Sequence, residues 1–157
     1  MWKILRRKIK MTLGTVLALV GAALATILAG IGSAKGVGMA CEVGMGVLAE
    51  DSSKFGKMLV LELLPGTQGL YGFIVSFIVL TKIGVFGGSA DLAIWQGGMI
   101  LAACLPIAIG GLMSGIAQGK AAVAGISLFA KDDSAFPKAL VSITLVEIYA
   151  LLAFLVS

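Results

Sequence analysis

The chain has 157 residues, of which 59% are hydrophobic and only 13% are charged, and its mean hydropathy is +1.08. Soluble domains carry about 25% charged residues, so this composition excludes an ordinary soluble domain and indicates an integral membrane protein. The net charge of +4 does not indicate nucleic-acid binding, because no basic surface is interleaved with aromatic residues.

Five of the twelve basic residues lie in the segment WKILRRKIK at 2–10. Such a cluster is typical of contact with lipid headgroups or of topology control. A basic start before an apolar run also resembles a secretory signal peptide. Since cleavage would remove part of the first span, we favour a retained N-terminal segment.

Four apolar blocks follow, at 11–48, 58–81, 93–130 and 139–156. Each reaches the roughly 17–20 residues that a helix needs to cross a bilayer. We therefore predict an all-α membrane protein of four transmembrane helices, arranged as two tandem helical hairpins. The predicted parts are a basic N-terminal segment (1–10), a first hairpin (11–81), a connecting loop (82–92) and a second hairpin (93–157).

The two hairpins show an internal repeat. GIGSAKG at 30–36 matches GIAQGKA 85 residues later, whereas residues 55–73 match residues 81 positions later. The change of offset falls across the polar joints EDSSK and KDDSA, where we expect an insertion or deletion. This alignment places Lys35 and Lys120 at equivalent positions and predicts two hairpins of the same orientation.

The residue types present exclude several kinds of functional site. The chain has no histidine and no CxxC motif, which excludes ordinary zinc sites and histidine-based catalysis. Cys41 and Cys104 lie in apolar blocks and are interpreted as small hydrophobic residues. The string SGIAQGKAA lacks the first glycine and the Ser/Thr of a P-loop, so we expect no nucleotide site and no catalytic residue.

Glycine or alanine occupies every second position of the first span from 30 to 40, and Gly44 and Gly46 follow. Small residues allow close approach of membrane helices. The number of small residues exceeds what contact with one partner helix requires. We therefore predict that these helices pack side by side in a homo-oligomer. Ordinary packing within one chain is the alternative.

Glu147 lies near the middle of the last span and aligns with Gly66 in the first hairpin. An isolated carboxylate in the bilayer marks an ion or proton pathway, with a structural hydrogen-bonding role as the alternative. Thr67, Gln68 and Gln118 lie at the same depth, about 20 Å along the helices from the hairpin turns.

Pro65 has no amide hydrogen, so it disturbs the helical hydrogen bonding of the Leu61 carbonyl and its neighbours. A backbone carbonyl oxygen is therefore available in this layer. Carbonyl, hydroxyl, amide and carboxylate oxygens favour a hard cation. The residues of this layer therefore predict a site for a hard cation. Glu62 has no assigned role.

Taken together, the paired hairpins, the glycine-rich first span, LLPGTQGLYG, SGIAQGK and VEIYA resemble the proteolipid (K or c) subunit of V-type ATPases. The resemblance is closest to the sodium-pumping bacterial branch and extends from about residue 11 to the end. It implies a non-catalytic subunit in a rotor ring, with the first and third spans inside. The ring would turn against a stator subunit with an essential arginine and would contact the rotor shaft.

The resemblance implies a sodium site formed by the Leu64 carbonyl, in place of Leu61, and by four side chains: Thr67, Gln68, Gln118 and Glu147. It also implies that Tyr71 hydrogen-bonds Glu147. In the cell membrane it implies cytoplasmic hairpin turns and exterior termini, although the positive-inside rule leans the other way. The alternatives are a proton-carrying ring and, in a different class, a small four-helix exporter or a structural membrane protein.

Overall fold

The computed structural model describes residues 12–86 and 91–157, so the prediction for the basic segment 1–10 lies outside the described residues. The described residues form five α-helices: α1 (Leu13–Glu50), α2 (Phe55–Leu63), α3 (Thr67–Lys82), α4 (Ile94–Lys131) and α5 (Phe136–Val156). A 3₁₀ turn at Leu64–Gly66 joins α2 to α3, so that the two form one bent span.

Four helical stretches are long and apolar enough to cross a bilayer: Leu13–Glu50, Ser52–Lys82, Ile94–Lys131 and Asp133–Val156. They confirm the predicted all-α membrane fold. α1 and α4 have 38 residues each and are therefore about 57 Å long. Since the hydrocarbon core is about 30 Å thick, both must tilt or project beyond it.

One offset of 81 residues relates the two hairpins throughout. α1 begins at Leu13 and α4 at Ile94, and the chain turns at Asp51 and at Asp132. The first helix and the turn therefore have equal lengths in the two hairpins, with no insertion between them.

The predicted change of offset from 85 to 81 is wrong. At offset 81, Lys35 corresponds to Ile116 rather than to Lys120. The match between the segments at 30–36 and 115–121 reflects a shared glycine-rich composition, which recurs along both helices and does not fix the register.

α1 and α4 lie side by side and make the most extensive helix–helix contact among the described residues. Glycines bring their backbones together: a Cβ added to Gly32 would lie 2.6 Å from the carbonyl oxygen of Leu112. A Cβ added to Gly115 would lie 2.6 Å from the carbonyl carbon of Gly32. Any larger residue would separate the helices, as expected for small-residue packing in membranes.

The alternating glycines of α1 occupy two different faces. Gly32 and Gly36 pack against α4, whereas a Cβ added to Gly30, Gly38 or Gly46 would meet no atom within 4 Å. Packing within one chain therefore accounts for only part of the glycine-rich segment.

The two hairpin turns are built alike. Asp51 Oδ1 accepts a hydrogen bond from the Ser53 amide at 3.0 Å, and Asp132 Oδ1 accepts one from the Ser134 amide at 2.9 Å. Each aspartate caps the 3₁₀ turn that follows it. Hydrogen bonds from the serine hydroxyls, and after them those from the serine amides, hold the pKa of both aspartates below the ordinary value.

A charged contact joins the hairpins at the turn end. Lys54 Nζ donates to the Ala130 carbonyl at 2.8 Å and lies 3.0 Å from Asp133 Oδ1. Lys57 Nζ lies 3.7 Å from Asp133 Oδ2, and both ammonium groups lie over the Phe129 ring. The contact holds the first turn against the end of α4.

Both cysteines are free thiols within the helices. Cys104 is fully buried in an apolar cluster with Ala25, Val75 and Ile107, and Cys41 is half-buried on α1. Neither lies in a cluster of metal-binding side chains among the described residues.

Candidate cation site

The site begins where Pro65 interrupts the second span. α2 ends at Leu63, and the 3₁₀ turn directs the Leu64 carbonyl to the start of α3. That carbonyl accepts hydrogen bonds from the Thr67 amide and from the Thr67 hydroxyl, the latter at 3.1 Å. Leu64 and Thr67 therefore present two oxygens together, and the hydroxyl of Thr67 also lies beside that of Tyr71.

The start of α3 is held against α1 by a hydrogen bond that sequence reasoning missed. The Gly69 amide donates to Ser33 Oγ at 2.8 Å. A Cβ at Gly69 would lie 3.3 Å from that oxygen, so a larger residue would press on the Ser33 side chain. Ser33 therefore positions the segment that carries Thr67 and Gln68.

Two fully buried amides link three helices. Gln68 Nε2 on α3 donates to Gln118 Oε1 on α4. Gln118 Nε2 in turn donates to the Ile143 carbonyl on α5 at 3.2 Å. The Ile143 carbonyl, which sequence reasoning also missed, fixes the Gln118 amide so that its oxygen faces Gln68.

The side-chain oxygen of Gln68 is the atom of this network that lacks a hydrogen-bond partner. Gln68 Oε1 has no solvent contact and no hydrogen-bond partner within the described part of the chain. A buried acceptor without a partner costs free energy, of the order of 1–3 kcal/mol. An oxygen in this position can accept one further contact, from a hydrogen-bond donor or from a cation.

The carboxylate of the site is held by an aromatic side chain. The Tyr71 hydroxyl donates to Glu147 Oε1, joining α3 to α5. The Tyr71 ring packs against Phe154, with 5.3 Å between ring centroids. Glu147 is half-buried.

The structure thus connects the sequence-predicted residues in three pairs: Leu64 with Thr67, Gln68 with Gln118, and Tyr71 with Glu147. Serine at position 33 carried no local signal, because its role depends on a contact between distant helices.

The donor set is rich in oxygen and low in charge. Residues 12–86 and 91–157 contain no group of three His, Cys, Asp or Glu side chains that could hold a metal ion. One carboxylate with neutral oxygens suits a hard monovalent cation better than a divalent one, since a divalent ion would keep a net charge in the membrane.

The chain is similar to known proteins over most of its length. The family model for the C subunit of ATP synthase matches residues 20–79 and 101–157. The chain is 47% identical to V-type sodium ATPase subunit K of Enterococcus hirae over 144 residues, which cover 92% of this chain and 89% of that protein. It is 42% identical to A-type ATP synthase subunit K of Methanocaldococcus jannaschii over 142 residues, which cover 90% of this chain and 60% of that protein. The chain belongs to the family of ATP synthase C subunits, the ion-translocating membrane proteolipids of rotary ATPases.

Proposed function

We propose that this chain is a rotor-ring subunit of a V-type ATPase and that it carries Na+ across the cell membrane. The observation that carries the proposal is the buried, unpartnered Oε1 of Gln68 beside the Gln118 amide. The relative from Enterococcus hirae, which is named a sodium ATPase subunit, supports the same ion.

The proposed ligands are five oxygens from three helical spans: those of Leu64, Thr67, Gln68, Gln118 and Glu147. A proton carrier requires little beyond a carboxyl group in an apolar environment, because a protonated glutamate is already neutral. A sodium ion must exchange its hydration shell for several oxygens. Thr67, Gln68 and Gln118 supply such oxygens, and burying them without an ion to bind would cost free energy.

The ion and Glu147 neutralise each other in this mechanism, so a loaded protomer exposes no charge when it faces lipid. The hydrogen bond from Tyr71 holds the carboxylate in the closed position. Beside the essential arginine of a stator subunit, the carboxylate opens and exchanges its ion. The rotor subunit itself performs no ATP hydrolysis.

A ring follows from repeating the contact between α1 and α4. Within the chain, Gly36 packs against Gly119. At offset 81, Gly36 of α1 corresponds to Ala117 of α4, and Gly119 of α4 corresponds to Gly38 of α1. Where α4 of one subunit contacts α1 of the next in the same way, Ala117 therefore meets Gly38 of the next subunit. Both residues are exposed in the single chain, and Gly38 has open space around its Cα. The surface is therefore suited to a second copy, with α1 and α4 forming an inner layer.

The orientation is part of the proposal. The hairpin turns at Asp51–Lys54 and Asp132–Ala135 would face the cytoplasm and contact the rotor shaft, with the termini outside. The length of α1 and α4 would allow the turn end to extend beyond the hydrocarbon core, which suits contact with a soluble shaft.

Radioactive sodium binding to the purified oligomer tests the proposal. We expect about one sodium ion per subunit, and Gln118→Ala should weaken binding at least about tenfold, because it removes one ligand and leaves Gln68 unpaired. Gln96→Ala is the matched control, since Gln96 caps the start of α4 far from the site. Unchanged binding in Gln118→Ala would contradict the ligand set, and sodium-independent transport would favour protons.

A further inference from the structure

The helix α3 begins without a cap of its own. Gly66 occupies its N-cap position and, having no side chain, forms no cap hydrogen bond. The amides in the first turn of a helix have no partner within the helix, and Gly69, the third residue of α3, carries one of them. In most helices the side chain of the N-cap residue accepts a hydrogen bond from the second or third amide. A partner for the Gly69 amide must therefore come from another part of the chain.

Ser33 of α1 supplies that partner. Its Oγ accepts a hydrogen bond from the Gly69 amide at 2.8 Å, so a side chain 36 positions earlier takes the place of the missing N-cap side chain. Only 7% of the Ser33 surface is exposed, so the bond lies in the packed interior between α1 and α3. A buried amide that lost this acceptor would have no water to replace it.

A second contact holds the same segment against α1, about one turn further along that helix. A Cβ added to Gly36 would lie 2.7 Å from Cβ of Pro65, so glycine allows the proline to pack closely against α1. Pro65 and Gly69 lie on either side of Thr67 and Gln68 in the chain. The helix α1 therefore fixes this stretch at both ends.

The second hairpin shows the same serine beside an unbroken helix. At offset 81, Ser33 corresponds to Ser114 and Gly69 corresponds to Ala150. The helix α5 is continuous through this position, so the Ala150 amide has its partner within the helix. Ser114 is only 5% exposed, yet its Oγ has no hydrogen-bond partner in the described part of the chain. The serine is therefore engaged only in the hairpin where the partner span is broken beside the proposed ligands.

We propose that Ser33 is a positioning residue of the cation site, which caps α3 from another helix and thereby fixes the ligand oxygens at its start. The inference rests on the proposed function, because it assigns to Ser33 an effect on ion affinity. Without the bond, the first turn of α3 samples other conformations, and a binding ion must order it. The dissociation constant then rises in proportion as the binding conformation is less populated. Ser33 is not a ligand and acts through the Gly69 amide.

Sodium binding to the purified full-length oligomer tests this inference. Ser33→Ala removes the hydroxyl and adds no atom, so it introduces no clash. We expect the sodium dissociation constant to rise about threefold to thirtyfold, the range that corresponds to loss of a helix cap, while the number of ions bound at saturation stays the same. Ser114→Ala is the matched control, because it removes a buried hydroxyl that has no partner. Native mass measurement shows whether both variants assemble.

Solid-state NMR of the same samples reports on the hydrogen bond directly. Each of the three glutamines precedes a glycine, so carbonyl-labelled glutamine combined with nitrogen-labelled glycine selects the amides of Gly69, Gly97 and Gly119. Ser33→Ala should shift the Gly69 signal, because its amide loses the acceptor. The Gly97 signal should stay in place, since that amide donates to the Ala93 carbonyl at 3.1 Å.

The two measurements separate this inference from the proposed function. Equal sodium affinity in Ser33→Ala and in Ser114→Ala would overturn the inference, as would an unchanged Gly69 signal. Loss of assembly, or of ions bound at saturation, without a change in affinity would show a merely structural role and would also overturn it. Absence of sodium binding in the unsubstituted protein would instead contradict the proposed function, and the Gly69 signal would then decide whether Ser33 caps α3.

Discussion

The Tyr71 hydroxyl on α3 donates a hydrogen bond to Glu147 Oε1 on α5, across the two hairpins of the chain. The pair connects the carboxylate to the span that also carries Thr67 and Gln68. A donor at this position stabilises the ionised carboxylate in the closed geometry. We therefore expect Tyr71 to contribute to ion affinity without being a ligand.

Tyr71→Phe should lower sodium affinity. The substitution keeps the ring contact with Phe154 but removes a hydrogen bond to a charged group, which is worth about 1.5–3 kcal/mol. The expected loss is roughly tenfold to a hundredfold in the dissociation constant, measured by radioactive sodium binding to the oligomer. Tyr149→Phe is the control, because Tyr149 is 70% exposed on the outer face of α5.

Equal affinity in Tyr71→Phe and in the unsubstituted protein would show that the hydrogen bond has no role in holding Glu147. A comparable loss in Tyr149→Phe would instead point to a general effect of changing the lipid-facing surface.

The proposed ring interface can be tested by disulfide cross-linking. In a background with Cys41→Ala and Cys104→Ala, the pair Gly38→Cys and Ala117→Cys should form disulfides between protomers. Mild oxidation should then yield a ladder of oligomers in denaturing gels. The single substitutions should give dimers at most, because each protomer then has only one thiol.

The control pair is Gly38→Cys with Leu145→Cys, since Leu145 is 58% exposed on α5 rather than on α4. Exclusively intramolecular products, together with a monodisperse single chain by native mass measurement, would contradict the ring. That result would favour a small exporter that functions as a monomer or dimer.

The hairpin turns should loosen in acid. Hydrogen bonds from Ser53 hold the pKa of Asp51 below its ordinary value, and those from Ser134 do the same for Asp132. The resulting stabilisation is present above the pKa of the unfolded chain, about 3.9 for aspartate, and is lost as the pH falls through the lower folded pKa. Below about pH 4, the Ser53 and Ser134 amides should lose protection from hydrogen exchange.

Asp51→Asn should flatten this pH dependence at Ser53, because asparagine accepts the same hydrogen bonds without titrating. Asp132→Asn removes the titrating cap of the other turn and should leave the pH dependence at Ser53 intact. Identical pH profiles of Ser53 protection in Asp51→Asn and in the unsubstituted protein would refute the assignment to the Asp51 cap.

Much of the architecture could be predicted from the sequence, because apolar length and polar turns directly reflect the bilayer. The four spans and the polar joints after Glu50 and Lys131 follow from this pattern. The register of the repeat could not be obtained from GIGSAKG, since glycine-rich helices match each other at several offsets. The equal lengths of α1 and α4, which are visible only in the structure, fix the offset at 81 residues.

Local sequence patterns could not predict the contacts between distant helices. The bond from the Gly69 amide to Ser33 and that from Gln118 to the Ile143 carbonyl both depend on how neighbouring spans pack. Glu62 was recognisable as an intramembrane carboxyl group near Lys57. Its packing against Gly44 and the pairing of Lys57 with Asp133 emerge only from the fold.

Carbodiimide labelling of Glu147 in the isolated oligomer tests the central claim most directly. The reagent requires a protonated carboxyl group, so sodium bound at Glu147 should protect it. Labelling must be located by peptide mass mapping, because the chain has other carboxyl groups, among them Glu62. Gln118→Ala provides the variant with a weakened site, and potassium provides the ionic control.

We expect protection of Glu147 to rise with sodium concentration, to be absent with potassium, and to require more sodium in Gln118→Ala. Labelling of Glu147 that follows pH alone and is indifferent to sodium would contradict a sodium site and identify the ring as a proton carrier.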